Sequence, residues 1–213
     1  MRYISPRKVV ASCLIATCLA SPSWAGPGEL FGYRQTPQSD IATFPQWVSA
    51  LERHLLDDLV EGDCTSRALN SCHLERWLVF LNEIKRLPRP RQIERVNEYA
   101  NTKDYVLDVQ NYGLEDYWAV PRQFLYNGGD CEDYAITKFF SLRWLGYPIR
   151  DLRIVVIQDT NLRIPHAVLA LQEADDILIM DNQVGHVLSH ERIVHYAPVY
   201  SINSEQWWIH VPE

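Results

Sequence analysis

One cysteine, Cys131, stands at a position where a thiol can become reactive. It follows two glycines and Asp130, and it begins an apolar run that Gly146 and Pro148 end. Glycines favour a tight turn, aspartate is preferred at the start of a helix, and Gly and Pro mark a helix end. We therefore predict a buried helix over 131–145 with the thiol in its first turn. The positive end of the helix dipole lowers the pKa of such a thiol, which favours a nucleophile.

A thiolate nucleophile needs a basic partner and a group that orients this partner. His166 begins a predicted strand, and the next predicted strand ends in Asp181-Asn182 after a short loop. If the two strands form a hairpin centred near residues 173–174, His166 lies opposite Asp181 or Asn182 to within one residue. This pairing would hold the His166 ring with the Asp181 carboxylate or the Asn182 amide, as the orienting member of a triad does, although spacing alone does not place Cys131 beside His166. The alternatives are a buried core cysteine and a structural histidine at a strand end.

Three acidic residues surround the cysteine: Asp130, Glu132 and Asp133. They are typical of a helix N-cap and first turn, but they also raise the pKa of a neighbouring thiol and so oppose the thiolate. A nucleophilic Cys131 then needs a compensating charge, which a hard cation bound by carboxylate oxygens supplies. Ca²⁺ is the natural candidate for an exported protein, because it prefers oxygen ligands.

Two other metal patterns are weak. His190 and His195 flank a sequence like that of zinc proteases but are five residues apart, so on a helix they lie roughly 140° apart instead of on one face. Cys64 and Cys72 are eight residues apart, which in an oxidising compartment favours a local disulfide over a pair of zinc ligands. Cys131 is then the odd thiol of the exported chain.

Residues 1–25 have the pattern of a secretory signal peptide. Basic residues precede an apolar run over 9–20, and Ser23-Trp24-Ala25 predicts cleavage before Gly26. The apolar run is shorter than the roughly 20 residues that span a bilayer, so we expect no membrane span after cleavage. A lipoprotein signal ending at Cys13 is the weaker alternative, because almost no apolar run precedes it.

The exported chain is acidic. Removal of 1–25 leaves 188 of 213 residues and takes away three basic residues, so the net charge falls from −7 to −10, with 17 Lys+Arg against 27 Asp+Glu. This length predicts one domain over 26–213. The negative charge excludes general binding to nucleic acid or to an anionic membrane surface.

The hydrophobic period changes once along the chain. Patterns of period 3.6 predict helices before the cysteine helix, at about 44–60, 74–87 and 91–101. Patterns of period 2 predict strands after it, at about 152–158, 166–171, 177–181, 199–202 and 207–211. Helices first and an antiparallel sheet afterwards indicate an α+β fold, with the cysteine helix packed on the sheet.

The residues with possible chemistry also resemble those of a known family. The chain has GGDCEDYA at 128–135, HAVL at 166–169 and Asp181-Asn182, which is similar to the bacterial transglutaminase-like cysteine proteinases of the LapG-type periplasmic protease family. Further matches cover nearly the whole exported chain: Lys138, Leu142, Leu145-Gly146, Val96-Asn97, Tyr105, residues 116–121 and Trp207-Trp208. The main departure is Val120, where a threonine more often precedes the proline.

This resemblance implies a papain/transglutaminase-like fold and a role for each site residue. Cys131 would be the nucleophile, His166 the general base or imidazolium partner, and Asp181 the orienting carboxylate. Asp130 and Glu132 match the calcium ligands of the family.

The resemblance also implies a function, that of a periplasmic, calcium-dependent cysteine endopeptidase. Such a hydrolase cleaves the N-terminal region of a large cell-surface adhesin near paired alanines, which releases the adhesin and promotes biofilm dispersal. An inner-membrane receptor for cyclic di-GMP is its inhibitory partner. Two alternatives are amide transfer on the same triad, as in transglutaminases, and a non-catalytic calcium-dependent binding module.

Overall fold

The computed structural model describes residues 29–62, 64 and 72–212. The predicted signal peptide, residues 1–25, lies outside the described residues, so its cleavage stays a prediction. The assignment of 26–213 to one domain also stays a prediction. Within the described part of the chain, no helix combines the length and the apolar character needed to cross a membrane.

Helices occupy most of the described residues before residue 145. Prolines begin or nearly begin three of them, as expected where the first backbone N–H groups need no partner within the helix. Their bounds are α1 Pro45–Leu55, α2 His73–Ile84, α3 Arg89–Asn101, α4 Asp108–Asn111, α5 Pro121–Asn127 and α6 Cys131–Trp144.

Helix α1 ends five residues before its predicted end near Val60. The side chains of Asp57 and Asp58 accept hydrogen bonds from the backbone N–H groups of Leu59 and Val60, at 2.8 and 3.0 Å. Aspartate side chains that bond nearby N–H groups compete with helical hydrogen bonds. The turn they form therefore stops the helix, even though the apolar pattern continues.

Helix α6 is the centre of the molecule. Every residue from Asp133 to Leu142 is buried, and the helix packs against α3 and α5 on one side and against the sheet on the other. Its far end is fixed by Ser141, whose hydroxyl accepts a hydrogen bond from the Trp77 indole at 2.9 Å. The predicted buried helix that carries the cysteine is therefore present.

The eight strands of the described residues form one antiparallel sheet, in the order β1-β2-β8-β7-β3-β4-β5-β6. The strand bounds are β1 Glu29–Leu30, β2 Tyr33–Gln38, β3 Leu152–Asp159, β4 Ile164–Glu173, β5 Asp176–Met180, β6 Leu188–Ser189, β7 Tyr196–Ile202 and β8 Trp207–Pro212. This arrangement confirms the predicted α+β fold.

The sequence did not predict β1 and β2, which precede all the helices. Strand β2 contains Pro37 and is largely exposed, so it lacks the alternating apolar pattern of a half-buried strand. It is a strand because it pairs with β8 at the other end of the chain, from Tyr33 opposite Pro212 to Gln38 opposite Trp207. This long-range pairing leaves no local signal.

The predicted disulfide is also present. Cys64 is bonded to Cys72 just before α2, and Cys131 is the free cysteine of the described residues.

Candidate active site

Two glycines set the position of Cys131 at the start of α6. A Cβ atom on Gly128 would lie 2.4 Å from the Asp104 carbonyl oxygen, and one on Gly129 would lie 2.1 Å from Asp133 Oδ2. Gly128 also has φ 71°, which disfavours other residue types. The turn therefore requires both glycines, and it packs the start of α6 tightly against residues 104–106.

The hairpin of β4 and β5 holds the second predicted site residue. Its register pairs Glu173 with Asp176 around a two-residue turn, so the hairpin is centred one residue later than predicted. Pairing ends at Leu169 opposite Met180, before it reaches His166. Continued at the same spacing, this register would set His166 opposite Gln183, one residue beyond the predicted Asn182 and two beyond the predicted Asp181.

His166 and Asp181 nevertheless meet through their side chains. His166 Nε2 lies 2.9 Å from Asp181 Oδ1, and both side chains are 2% exposed. Burial alone would raise the pKa of Asp181, but hydrogen bonds from His166, Tyr196 and the Gln183 backbone, together with the His166 charge, lower it below its usual value. With an ionised Asp181 as its partner, Nε2 carries the proton and Nδ1 is the nitrogen left free to act as a base.

Cys131 and His166 line the same cavity, whose volume is about 380 Å³. Its walls also include Trp118, from the segment before α5, and Tyr200, from β7. Ala167, next to His166 in the chain, lines the same cavity. All three predicted triad residues are thus brought to one place, although their catalytic roles remain a prediction.

Beside the thiol lies a cluster of carboxylates that is larger than the sequence predicted. Asp130 and Glu132 belong to it as expected, and Asp108, Asp116 and Asp133 join them. Two sets of three carboxylates each have an oxygen within 4.8 Å of the others, namely Asp108 with Asp116 and Glu132, and Asp108 with Asp130 and Asp133.

The electrostatics of this cluster fit a divalent cation. Burial raises the pKa of Glu132 to about 9 and that of Asp108 to about 6, and it also raises the pKa values of Asp130 and Asp133. Asp130 Oδ1, Asp108 Oδ1 and Asp133 Oδ2 are buried and accept no hydrogen bond from the described residues. Buried acceptors of this kind are costly unless something pairs with them. An all-oxygen donor set is what Ca²⁺ prefers.

Asp130 does not cap α6 with its side chain, although it stands at the N-cap position. Its carboxylate turns toward Asp108 and Glu132 instead, which favours the metal-ligand interpretation over simple capping. Asp108 and Asp116 were missed because they lie 22 and 14 residues before Asp130, in the segment between α3 and α5. The resemblance did include residues 116–121, which was the one available signal.

Cys131 itself is held in its protonated form by this environment. Burial raises the pKa of the thiol, and Glu132 raises it further by its charge and by a contact of 3.2 Å between Sγ and Oε2. Burial and Glu132 therefore outweigh the lowering of the thiol pKa that we expected from the helix dipole. Positive charge among the carboxylates would reverse the effect of Glu132 on the thiol, as the sequence argument required.

His190 and His195, whose spacing disfavours a zinc site, are not part of the carboxylate cluster. His190 Nδ1 accepts a hydrogen bond from the Phe31 backbone at 3.2 Å, and His195 lies 3.9 Å from Asp159. Among the described residues, neither histidine belongs to a group of three potential metal ligands.

A buried lysine lies two turns along α6 from the cysteine, and it gives a prediction for stability. Lys138 is fully buried, and its Nζ has no hydrogen-bond partner among the described residues. Burial lowers its pKa to about 7, opposed by the charge of Asp181. The unfolded chain binds this proton up to about pH 10.5. Lys138 therefore makes the free energy of unfolding increase as the pH rises above 7, and decrease as the pH falls back toward 7.

We expect Lys138→Met to abolish that pH dependence. Between pH 7 and 9.5 the free energy of unfolding of the wild type should rise relative to that of the variant, by at most about 1.4 kcal/mol per pH unit. Urea denaturation of both proteins across this range measures the difference. Parallel pH profiles would show that Lys138 keeps an ordinary pKa in the folded protein.

Known proteins resemble this chain in sequence and in fold. The family model of the bacterial transglutaminase-like cysteine proteinases matches residues 62–213. Three solved structures of Legionella pneumophila LapG, two of which are described as EGTA-treated and calcium-bound, are 33% identical and have TM-scores of 0.59. Each match covers 64% of this chain and 75–77% of the LapG chain. A comparison with curated proteins returned no match.

The fold and the family match together define a cysteine protease of the transglutaminase-like class. The family match covers more than half of the sequence, and this chain belongs to the bacterial transglutaminase-like cysteine proteinases.

Proposed function

We propose that this protein is a periplasmic, calcium-dependent endopeptidase that uses Cys131, His166 and Asp181 to cleave the N-terminal region of a large cell-surface adhesin near paired alanines. Cleavage releases the adhesin and promotes biofilm dispersal, and an inner-membrane receptor for cyclic di-GMP inhibits the enzyme. The observation that carries the proposal is the cavity shared by Cys131 and His166, in which His166 is already bonded to Asp181.

The adhesin, the receptor and the periplasm come from the resemblance to LapG-type proteases. Calcium has two supports of its own. One is the cluster of buried carboxylates beside the thiol. The other is the similarity to LapG, which has been solved in a calcium-bound form.

In the proposed reaction, Cys131 Sγ attacks the carbonyl carbon of the scissile peptide bond. His166 Nδ1 accepts the thiol proton and donates it to the nitrogen of the leaving amine, while Nε2–H remains bonded to Asp181. The C–N bond breaks, leaving a thioester on Cys131. Water then attacks the thioester with His166 as the base, which releases the new carboxyl terminus and restores the thiol.

The carboxylate cluster has a separate task in this scheme. A bound cation supplies positive charge beside Cys131, and Asp108, Asp116, Asp130 and Glu132 are the side chains that would hold it. Without that charge Glu132 opposes the thiolate directly, because its carboxylate lies 3.2 Å from Sγ.

The test is cleavage of a purified adhesin fragment. The N-terminal region of a large adhesin from the same genome is incubated with the exported chain and calcium, and the products are identified by mass spectrometry. We expect two fragments with new termini next to paired alanines. Replacement of both alanines by arginine in the substrate is the matched control, and it should prevent cleavage. An intact fragment under these conditions would contradict the proposed substrate.

The same assay distinguishes hydrolysis from amide transfer. In the presence of a primary amine in excess, a protease leaves a free carboxyl terminus on most of its product. A transglutaminase-type enzyme instead joins the amine to glutamine side chains without cutting the chain. Amine incorporation into an uncut fragment would establish the alternative reaction.

A further inference from the structure

A buried tyrosine contacts the proposed catalytic pair from behind. Tyr196 begins β7, where it pairs with Asp159 of β3, and it is 4% exposed. Its hydroxyl donates a hydrogen bond to Asp181 Oδ2 at 2.5 Å. His166 uses the other oxygen of the same carboxylate. The two side chains therefore hold Asp181 from opposite sides.

We propose that Tyr196 is a positioning residue of this enzyme, whose hydroxyl orients Asp181 so that Asp181 in turn holds the His166 ring toward Cys131. This inference rests on the proposed function, in which those three residues carry out the chemistry.

Among the residues that the structure describes, Asp181 has no other side-chain donor besides His166 and Tyr196. Oδ1 accepts from His166 Nε2 and from the Gln183 backbone N–H, both at 2.9 Å, whereas Oδ2 accepts from the Tyr196 hydroxyl. Without the hydroxyl, Oδ2 would have no hydrogen-bond donor that the structure describes. The buried carboxylate could then rotate to seek another partner, and the bond to His166 would lose its direction.

The tyrosine is itself held firmly. Its ring packs against the rings of Phe31 and His195, with centroids 5.7 and 4.6 Å away, and the His166 ring is 6.1 Å away. Burial and the charge of Asp181 both raise the pKa of Tyr196, so the phenol keeps its proton and acts only as a donor to Asp181. These ring contacts do not need the hydroxyl, and phenylalanine preserves them.

Tyr196 is also separated from the substrate. It does not line the 380 Å³ cavity that contains Cys131, and its ring belongs to the apolar cluster on the other side of the sheet. A loss of activity on removal of its hydroxyl must therefore act through Asp181 and His166. This separation makes the role testable, because substrate affinity should not change.

The experiment compares Tyr196→Phe with the wild type at saturating calcium. We expect kcat on the adhesin fragment to fall about tenfold, as for loss of a hydrogen bond to a buried charge, with KM unchanged. The rate at which iodoacetamide alkylates Cys131 should also fall severalfold, because this reaction depends on the Cys131–His166 pair and needs no substrate. A merely structural role would lower only the melting temperature.

Tyr147→Phe is the matched control. Tyr147 is a buried tyrosine beyond the far end of α6, and its hydroxyl donates to the Arg89 carbonyl oxygen at 3.2 Å. This variant loses a buried hydroxyl of the same kind, and we expect wild-type kcat and alkylation rates from it.

The outcomes separate this inference from the proposed function. If the wild type cleaves nothing, the proposed substrate is wrong, and the alkylation rates still test the role of Tyr196. If Tyr196→Phe keeps the wild-type kcat and alkylation rate, or if only KM changes, Tyr196 is not a positioning residue.

Discussion

Replacement of Cys131 by alanine is expected to abolish proteolysis while the fold remains intact. The substitution removes the only atom that the proposed reaction uses to attack the peptide carbonyl, and loss of a nucleophile typically lowers kcat by roughly 10⁵-fold or more. The alanine side chain lacks one buried sulfur atom and its hydrogen bond to Glu132 Oε2 at 3.2 Å, which is a small loss for the fold because a thiol is a weak donor. The melting temperature should therefore stay within a few degrees of the wild type.

A second alanine substitution on α6 is expected to lower stability and leave activity unchanged, which is the opposite of the result expected for Cys131→Ala. Ser141→Ala removes the buried acceptor of the Trp77 indole N–H, so we expect it to lower the free energy of unfolding by about 1–3 kcal/mol. Ser141 lies near the other end of α6, and kcat should be unchanged. Cleavage by Cys131→Ala at more than a trace of the wild-type rate would exclude Cys131 as the nucleophile.

Removal of calcium is expected to abolish activity and to destabilise the protein. Ligand binding to the folded state alone raises the free energy of unfolding by about 2.7 kcal/mol at a ligand concentration of one hundred times Kd. For a chain of this length, EGTA should then lower the melting temperature by about 5–10 °C. Calorimetry with EGTA, calcium or magnesium measures the shift, and activity should return with calcium.

The pH dependence of that shift follows from the carboxylates. The pKa of Glu132 is raised from 4.5 to about 9 and that of Asp108 from 3.8 to about 6, in both cases chiefly by burial. The stability that such a group contributes is fully present below the pKa that it has in the unfolded chain. This stability is lost as the pH rises through the pKa that the group has in the folded protein. The calcium-free protein should therefore lose stability between pH 5 and 8, and the stabilisation by calcium should grow over the same range.

Replacement of a proposed calcium ligand by a neutral residue should reduce the loss of stability that the calcium-free protein shows as the pH rises. Glu132→Gln removes a buried carboxyl group that must take up a proton on folding, because its pKa is raised to about 9. At pH 8 the calcium-free variant should therefore melt at a higher temperature than the calcium-free wild type. The variant should also lose its response to calcium. Asp175→Asn, in the exposed turn between β4 and β5, is the control for net charge and should respond as the wild type does. An unchanged calcium response in Glu132→Gln would remove Glu132 from the ligand set.

The sequence determined much of the fold because local signals were strong. A Gly-Gly turn, an apolar run and a Gly-Pro stop mark α6, and the prediction of its end near Leu145 was right to within one residue. The five predicted strands are all present. Strands β1, β2 and β6 were missed, because β2 is exposed and held by β8 from the opposite end of the chain, and because β1 and β6 have only two residues each.

For the candidate active site, too, the sequence indicated some features and the tertiary structure decided others. Residue types and neighbours alone singled out Cys131, His166 and the pair Asp181-Asn182, and the family resemblance selected Asp181. The same residues indicated that acids beside a thiol need a compensating charge. Only the tertiary structure brought Cys131 into one cavity with His166, because a central helix packed on β4 places residues 35 positions apart side by side.

Tertiary structure also decided what surrounds these residues. It added Asp108 and Asp116 to the carboxylates of the helix start, and it placed Tyr196 against Asp181 from a strand that pairs with neither β4 nor β5. A sequence pattern records which groups are chemically able to react. The distances that set their pKa values arise from contacts between distant segments, which no local pattern encodes.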